Sequence, residues 1–178
     1  ALIANMGADK NGDLCLDSLK KDGVSTEFIT AHKDKDTNYH YVLWFEDDRT
    51  ILQKHTDFPY KLPDLGNPKW IYLTSLGEKS LPYHQEIIKY LQDHGDIKLV
   101  FQPGIFQIKM GKNKLKEIYK RTDVFFCNVE EAKTILEIDQ HDNVKDLLQK
   151  MHELGPKIIV ITDGPKGSYA YDGENYLS

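Results

Sequence analysis

The residues in this sequence that can do chemistry stand where apolar runs end. "KIIVIT" leads into Thr162-Asp163-Gly164-Pro165-Lys166-Gly167. Two glycines three apart let a backbone approach a ligand closely, bare amides can cup an anion, and the Thr hydroxyl adds a donor. That is phosphate-binding chemistry, although a tight turn between two strands uses the same residues. "DVFFC" leads into Asn128-Val129-Glu130-Glu131. Asn128 can cap a helix and Glu131 can close a capping box. A carboxylate beside an amide also suits a hydrated Mg2+ and a phosphate oxygen, and both readings stay open at this point. "IKLVF" leads into Gln102-Pro103-Gly104, an uncharged turn able to border a pocket.

Other chemistries are excluded by spacing and charge. Seven histidines, at 32, 40, 55, 84, 94, 141 and 152, never come close enough together for a zinc site. No Ser/His/Asp set has a spacing that favours nucleophilic catalysis, and neither GxGxxG nor GxxxxGK[ST] occurs. A net charge of −5 argues against nucleic acid as a partner, since phosphate backbones need a basic face.

The elements that must position these residues read as an α/β domain. The 178 residues suffice for one domain with a proper core. From Trp70 onward, strand-like runs alternate with helical ones: "KWIYLTSL", a helix around 83–94 stopped by Gly95, "IKLVFQPG", "KNKLKEIYKRT", "DVFFC", "NVKDLLQKMHELG" and "KIIVITDG". Such alternation predicts parallel βαβ units with helices on both faces of a sheet. Before it, an apolar strand and a Gly-rich turn open the chain, and a helix carrying Leu14, Leu16 and Leu19 stops at Gly23. The β-branched and aromatic stretch at about 24–57 interrupts the alternation; it predicts a flap or small second sheet with a hairpin turn near Glu46–Asp48. No apolar run reaches membrane-span length and no leader opens the chain, so no membrane partner is expected. Cys15 and Cys127 read as free thiols, which places the protein in the cytoplasm. Both ends read as cut: no Met begins the chain, and it stops at "GENYLS" within a strand-and-turn pattern.

Taken in order, these pieces resemble the PfkB-type carbohydrate kinases, the ribokinase-like family. Gly7-Ala8-Asp9-Lys10-Asn11-Gly12 is similar to that family's GxDxxG turn, and Leu19…Gly23-Val24 to the Leu-x-x-x-Gly-Val after it. "DTNYHYVLWFEDDRTIL" resembles its lid, "CNVEEA" its Asn-x-x-Glu motif and "ITDGPKG" its Thr-x-Gly-x-x-Gly loop. The resemblance covers nearly the whole chain and implies a parallel-rich central sheet flanked by helices, with a small β lid at about 24–57.

The activity it implies is ATP- and Mg2+-dependent transfer of phosphate to a hydroxyl of a sugar or nucleoside, where positioning and charge neutralisation carry the catalysis. On that resemblance, Asn128 and Glu131 place phosphate and hydrated Mg2+, with Glu131 as the metal contact. Thr162, Gly164 and Gly167 face the nucleotide phosphates. His40 and Val42 lie over the acceptor, and Ser75 forms another wall of its pocket. No residue is nominated for the catalytic base: the family's Gly-Gly-x-x-x-Asn and Gly-Ala-Gly-Asp motifs are expected upstream of Ala1 and downstream of Ser178. The polypeptide as it stands is therefore expected to be inactive alone. The competing expectation is a non-catalytic nucleotide- or sugar-binding protein of the same fold, in which the Asp of the second motif is replaced. The aromatic run Tyr39, Tyr41, Trp44 and Phe45 suits a homodimer formed through the lid.

Overall fold

The computed structural model describes residues 1–45, 48–138 and 143–178. Glu46 and Asp47, in the turn expected between the hairpin strands, lie outside the described residues, as does His141. The chain divides into two units, Ala1–Pro63 and Asp64–Ser178.

In the first unit, β1 (Ala4–Gly7) lies parallel to β2 (Ile29–His32), in register from Ala4↔Ile29 to Gly7↔His32. Part of the 24–57 stretch thus joins β1, and the hairpin is formed by β3 (Tyr39–Phe45) and β4 (Asp48–Lys54) alone. Helix α1 (Lys10–Lys21) starts at Asp9, whose Oδ1 accepts the Gly12 N–H at 2.8 Å. It ends with Lys20 and Lys21 in the last turn, which suits the negative end of the helix dipole, and with Gly23 at φ +72°. Cys15, on this helix, is exposed.

The hairpin is apolar on both faces. Alternate residues of a strand point to opposite sides, so His40 and Val42 share one face with Gln53 and Ile51, while Tyr41 and Leu43 share the other with Leu52 and Thr50. Every residue of β3 is exposed, Trp44 at 68% and Phe45 at 76%.

In the second unit, β5 (Trp70–Leu73), β6 (Lys98–Phe101), β7 (Val124–Asn128) and β8 (Ile158–Thr162) run parallel, and β9 (Ser168–Tyr171) and β10 (Tyr176–Leu177) fold back antiparallel. The strand order is β10-β9-β8-β7-β6-β5. Between strands come α2 (Leu81–Asp93), α3 (Ile105–Met110), α4 (Lys116–Arg121), α5 (Val129–Leu136) and α6 (Val144–His152). On β6, successive residues Leu99, Val100 and Phe101 are all buried, so both faces of the sheet are covered there, as parallel sheets require. The core is built on Phe101, Tyr119 and Phe125, whose ring centroids lie 5.4 to 5.8 Å apart. Leu147, Leu148 and Met151 of α6 and Ile159 and Ile161 of β8 extend it. Helix α3 is absent from the sequence expectations, because six residues are too few for a periodicity to show.

At the amino ends of the parallel strands, the buried Asp123 carboxylate ties three elements together. It accepts the Leu99 N–H at 2.9 Å and hydrogen bonds from Lys157 at 2.7 Å and Arg121 at 3.1 Å. Burial pushes its pKa up, but the Lys157 bond and the Leu99 N–H outweigh that and hold it below the usual carboxylate value.

Candidate functional site at the carboxyl edge of the sheet

Because β5 to β8 are parallel neighbours, the segments that follow them emerge along one edge of the sheet. Ser75 follows β5, Gly104 follows β6, and Asn128 and Thr162 end β7 and β8. That edge is where open parallel sheets take ligands. Asn128 and Thr162 are register partners and therefore lie one strand spacing, about 5 Å, apart. Both are exposed.

Asn128 and Glu131 do form the capping box. Asn128 Oδ1 accepts the Glu131 N–H at 2.8 Å, and Glu131 Oε2 accepts the Asn128 N–H at 2.9 Å. The box uses the Asn128 and Glu131 N–H groups, so neither of these two is open to an anion. The Asn128 side-chain NH2 and Glu131 Oε1 have no partner among the described residues and keep their capacity for a ligand. Beneath them, burial and the Glu131 charge push the Cys127 thiol well above its ordinary value, so this cysteine stays protonated and unreactive.

The glycine loop works by shape. Gly164 has φ +52° and Gly167 φ +94°, conformations that side chains rarely adopt. A Cβ at either position would meet nothing within 4 Å. No protein packing therefore explains the missing side chains, and the space outside the loop is open. Three of the loop amides are engaged within the turn. Asp163 N–H donates to Gly167 O (2.8 Å), Lys166 N–H to Asp163 O (3.0 Å) and Gly167 N–H to Gly164 O (3.1 Å). Closing the turn uses them. The exposed Thr162 hydroxyl is a donor at the rim, and those three bonds leave the Gly164 N–H unused.

Ser75 is exposed and lies against Gly104: a Cβ there would fall 2.0 Å from Ser75 Oγ. On the same edge the Tyr72 hydroxyl donates to Gln102 Oε1. His40 and Val42 belong to the Ala1–Pro63 unit, both exposed on one face of the hairpin.

That hairpin is anchored at its base by a network that sequence reading did not foresee. The Thr37 hydroxyl donates to Asp9 Oδ1 at 2.7 Å and accepts the Gly7 N–H at 3.0 Å, and the Thr37 N–H donates to Asp9 Oδ2 at 2.8 Å. The Thr37 and Gly12 N–H groups, with the Thr37 hydroxyl, hold the Asp9 carboxyl down at about 2. Gly7 and Gly12 are the price of this closeness: a Cβ would stand 2.3 Å from Lys35 O and from Gly7 O respectively. The signal was present in the GxDxxG spacing, but its partner Thr37 lies 28 residues from Asp9.

Among the described residues, no group of three His, Cys, Asp or Glu side chains gathers to hold a metal. A single carboxylate oxygen at Glu131 fits Mg2+, which keeps most of its waters and takes substrate phosphates as ligands.

Comparison with known proteins gives this arrangement relatives. The pattern of the pfkB family carbohydrate kinase matches residues 1–177. An uncharacterized sugar kinase of Archaeoglobus fulgidus is 22% identical over 188 residues, covering 100% of this chain and 72% of that protein. A cytidine kinase of Thermococcus kodakarensis is 40% identical over 62 residues, 35% of this chain and 21% of that protein. The structure of Arabidopsis thaliana ribokinase complexed with ribose and ATP superimposes with a TM-score of 0.77 at 18% identity, over 99% of this chain and 59% of that one. The fold is ribokinase-like, a mostly parallel mixed sheet flanked by helices.

Proposed function

The chain belongs to the pfkB family of carbohydrate kinases, and from that premise we propose that the protein transfers the terminal phosphate of ATP to a hydroxyl of a sugar or nucleoside. The observation that carries the reading is the open glycine loop beside Asn128 and Thr162 on the carboxyl edge. The ribose and ATP in the Arabidopsis structure and the name of the Thermococcus relative support the substrate classes.

In this reading the Thr162 hydroxyl and the Asn128 NH2 donate to phosphate oxygens. Gly164 and Gly167 let the phosphates come against the loop, where any side chain would intrude. Glu131 Oε1 holds Mg2+ through its water shell; the ion supplies charge neutralisation on the phosphates. Ser75 on the carboxyl edge is an acceptor contact, and His40 and Val42 are acceptor contacts on the hairpin. None of these residues takes the proton from the acceptor hydroxyl. Two copies pair through the exposed aromatic residues Tyr39, Tyr41, Trp44 and Phe45, whose burial would remove a large apolar surface from water. The protein works in the cytoplasm.

Calorimetric titration of ATP with Mg2+ tests the nucleotide site. Thr162→Ala and Gly167→Ala should each weaken ATP binding about tenfold, the loss of one charge-assisted hydrogen bond or of the close approach. Unchanged affinity in both variants, with folding intact, would take the loop out of the site. Light scattering at micromolar concentration tests pairing: Trp44→Asp should leave a monomer where the wild type is a dimer, and a monomeric wild type ends that part of the reading.

A further inference from the structure

Behind the acceptor end of the carboxyl edge lies a buried polar network that none of the roles above uses. Gln107 of α3 is 0% exposed and His84 of α2 is 2% exposed. The Gln107 amide fills all of its hydrogen-bonding capacity. Oε1 accepts the Gly104 N–H at 2.8 Å and the Leu76 N–H at 3.2 Å. Nε2 donates to the Thr74 carbonyl at 3.1 Å and to His84 Nε2 at 3.0 Å. His84 Nδ1 in turn lies 2.7 Å from the Ser80 carbonyl.

The partners dictate the protonation pattern. Two backbone N–H groups must face the amide oxygen, so the NH2 faces the Thr74 carbonyl and the imidazole. His84 Nε2 must then present a lone pair, and the ring proton sits on Nδ1, donated to Ser80 O. That is a neutral imidazole, and burial favours the neutral form. If the amide were turned over, its NH2 would confront two backbone donors. The network therefore has one self-consistent arrangement.

Its geometry points to a task. Thr74 and Leu76, both bound to Gln107, bracket Ser75, and Gly104, also bound, is the residue against which Ser75 lies. We propose that Gln107, oriented by neutral His84, is the positioning residue that fixes Ser75 and Gly104 for the acceptor. One amide side chain sets the ends of two strand-to-helix connections, so that an exposed serine is presented in one place. The inference rests on the reading of Ser75 as an acceptor contact; the clamp itself rests only on the hydrogen bonds.

The experiment has two arms on the intact protein. In amide hydrogen exchange, Gln107→Ala should speed exchange at Leu76 and Gly104 by about tenfold or more, while the Leu99 amide, held by Asp123, keeps its protection. Gln107→Met keeps much of the volume but removes both acceptor and donor, and should open the same two amides should the alanine variant fold poorly. In kinetics, both variants should raise the acceptor KM about tenfold and leave the ATP KM within about twofold. His84→Leu should do the same more weakly, and His84→Gln, which restores an acceptor for the Gln107 NH2, should return the acceptor KM towards wild type.

Amides that stay protected in both Gln107 variants overturn the clamp. Opened amides with an unchanged acceptor KM, or with equal rises in both KM values, overturn its role towards the acceptor. Opened amides in a protein whose wild type transfers phosphate to nothing overturn the kinase reading instead, along with the acceptor role, and leave the clamp as a structural device.

Discussion

Replacing Gly12 by alanine tests the joint between the β1–α1 turn and the base of the hairpin. The new Cβ would stand 2.3 Å from the Gly7 carbonyl oxygen and 3.1 Å from Thr37 Oγ1. A backbone oxygen cannot swing aside as the end of a long side chain can. Gly7 has little room to retreat, because it is itself closely packed: a Cβ built on it would stand 2.3 Å from Lys35 O and 2.5 Å from Thr37 N. Restoring a normal contact takes a shift of roughly 1 Å. That shift stretches the bonds by which Asp9 holds Gly12 and Thr37, each 2.8 Å now. Overpacking of this kind costs about 1–3 kcal/mol, against which alanine's helix preference over glycine returns at most about 1 kcal/mol. The net loss is about 1–2 kcal/mol, and for a chain of this size Tm should fall by about 2–8 °C. Thermal unfolding followed by circular dichroism measures it, with Asn11→Ala, exposed on the same turn, as the propensity control. A Gly12→Ala protein that melts at or above wild type would refute the reasoning.

Further outcomes follow from the charged and titrating groups. Asp123→Asn keeps the shape but leaves Lys157, Arg121 and Lys98 facing a neutral amide; urea unfolding should show a loss of about 1–3 kcal/mol, tempered by the exposure of the two lysines. Asp9 has a folded pKa of about 2 against an ordinary 3.8, so its contribution is fully present above pH 4 and is lost as pH falls towards 2; Asp9→Asn should flatten the acid limb of the stability–pH curve. His84 is held neutral by burial, so its folded pKa lies below the ordinary 6.5 and the unfolded chain binds the extra proton first. Stability should therefore be complete above pH 6.5 and decline below it, and His84→Gln should remove that slope between pH 7.5 and 5.5.

Much of the second unit was legible in the sequence because its signals are local. Gly95 stops α2, Asn128 and Glu131 box the start of α5, and α6 repeats its apolar residues at helical spacing. The apolar run Ile158 to Ile161 reads as a strand, and the structure buries Ile159 and Ile161 while leaving Ile158 exposed and Val160 half-buried. The pairing of β2 with β1 was not legible: "STEFIT" carries strand propensity but nothing that names its partner, and only Ile29 onward pairs. At the site, sequence placed Asn128, Thr162 and the two glycines correctly on the carboxyl edge, since motif position and strand ends coincide. It could not foresee that closing the turn would engage the Asp163, Lys166 and Gly167 amides. Nor could it reveal Gln107 and His84, whose partners lie 23 to 33 residues away except for Gly104 and Ser80. A polar residue interrupting the apolar stripe of Tyr83, Ile87 and Leu91 was the available hint at His84.

The measurement that reaches the central claim most directly is ADP formation by the intact protein, given ATP and Mg2+ with a panel of sugars and nucleosides one at a time. The account predicts ADP release that depends on one class of acceptor and falls at least about tenfold in Gly167→Ala. ATP binding without acceptor-dependent ADP release across the whole panel would contradict it, and would make this a binding protein on a kinase fold.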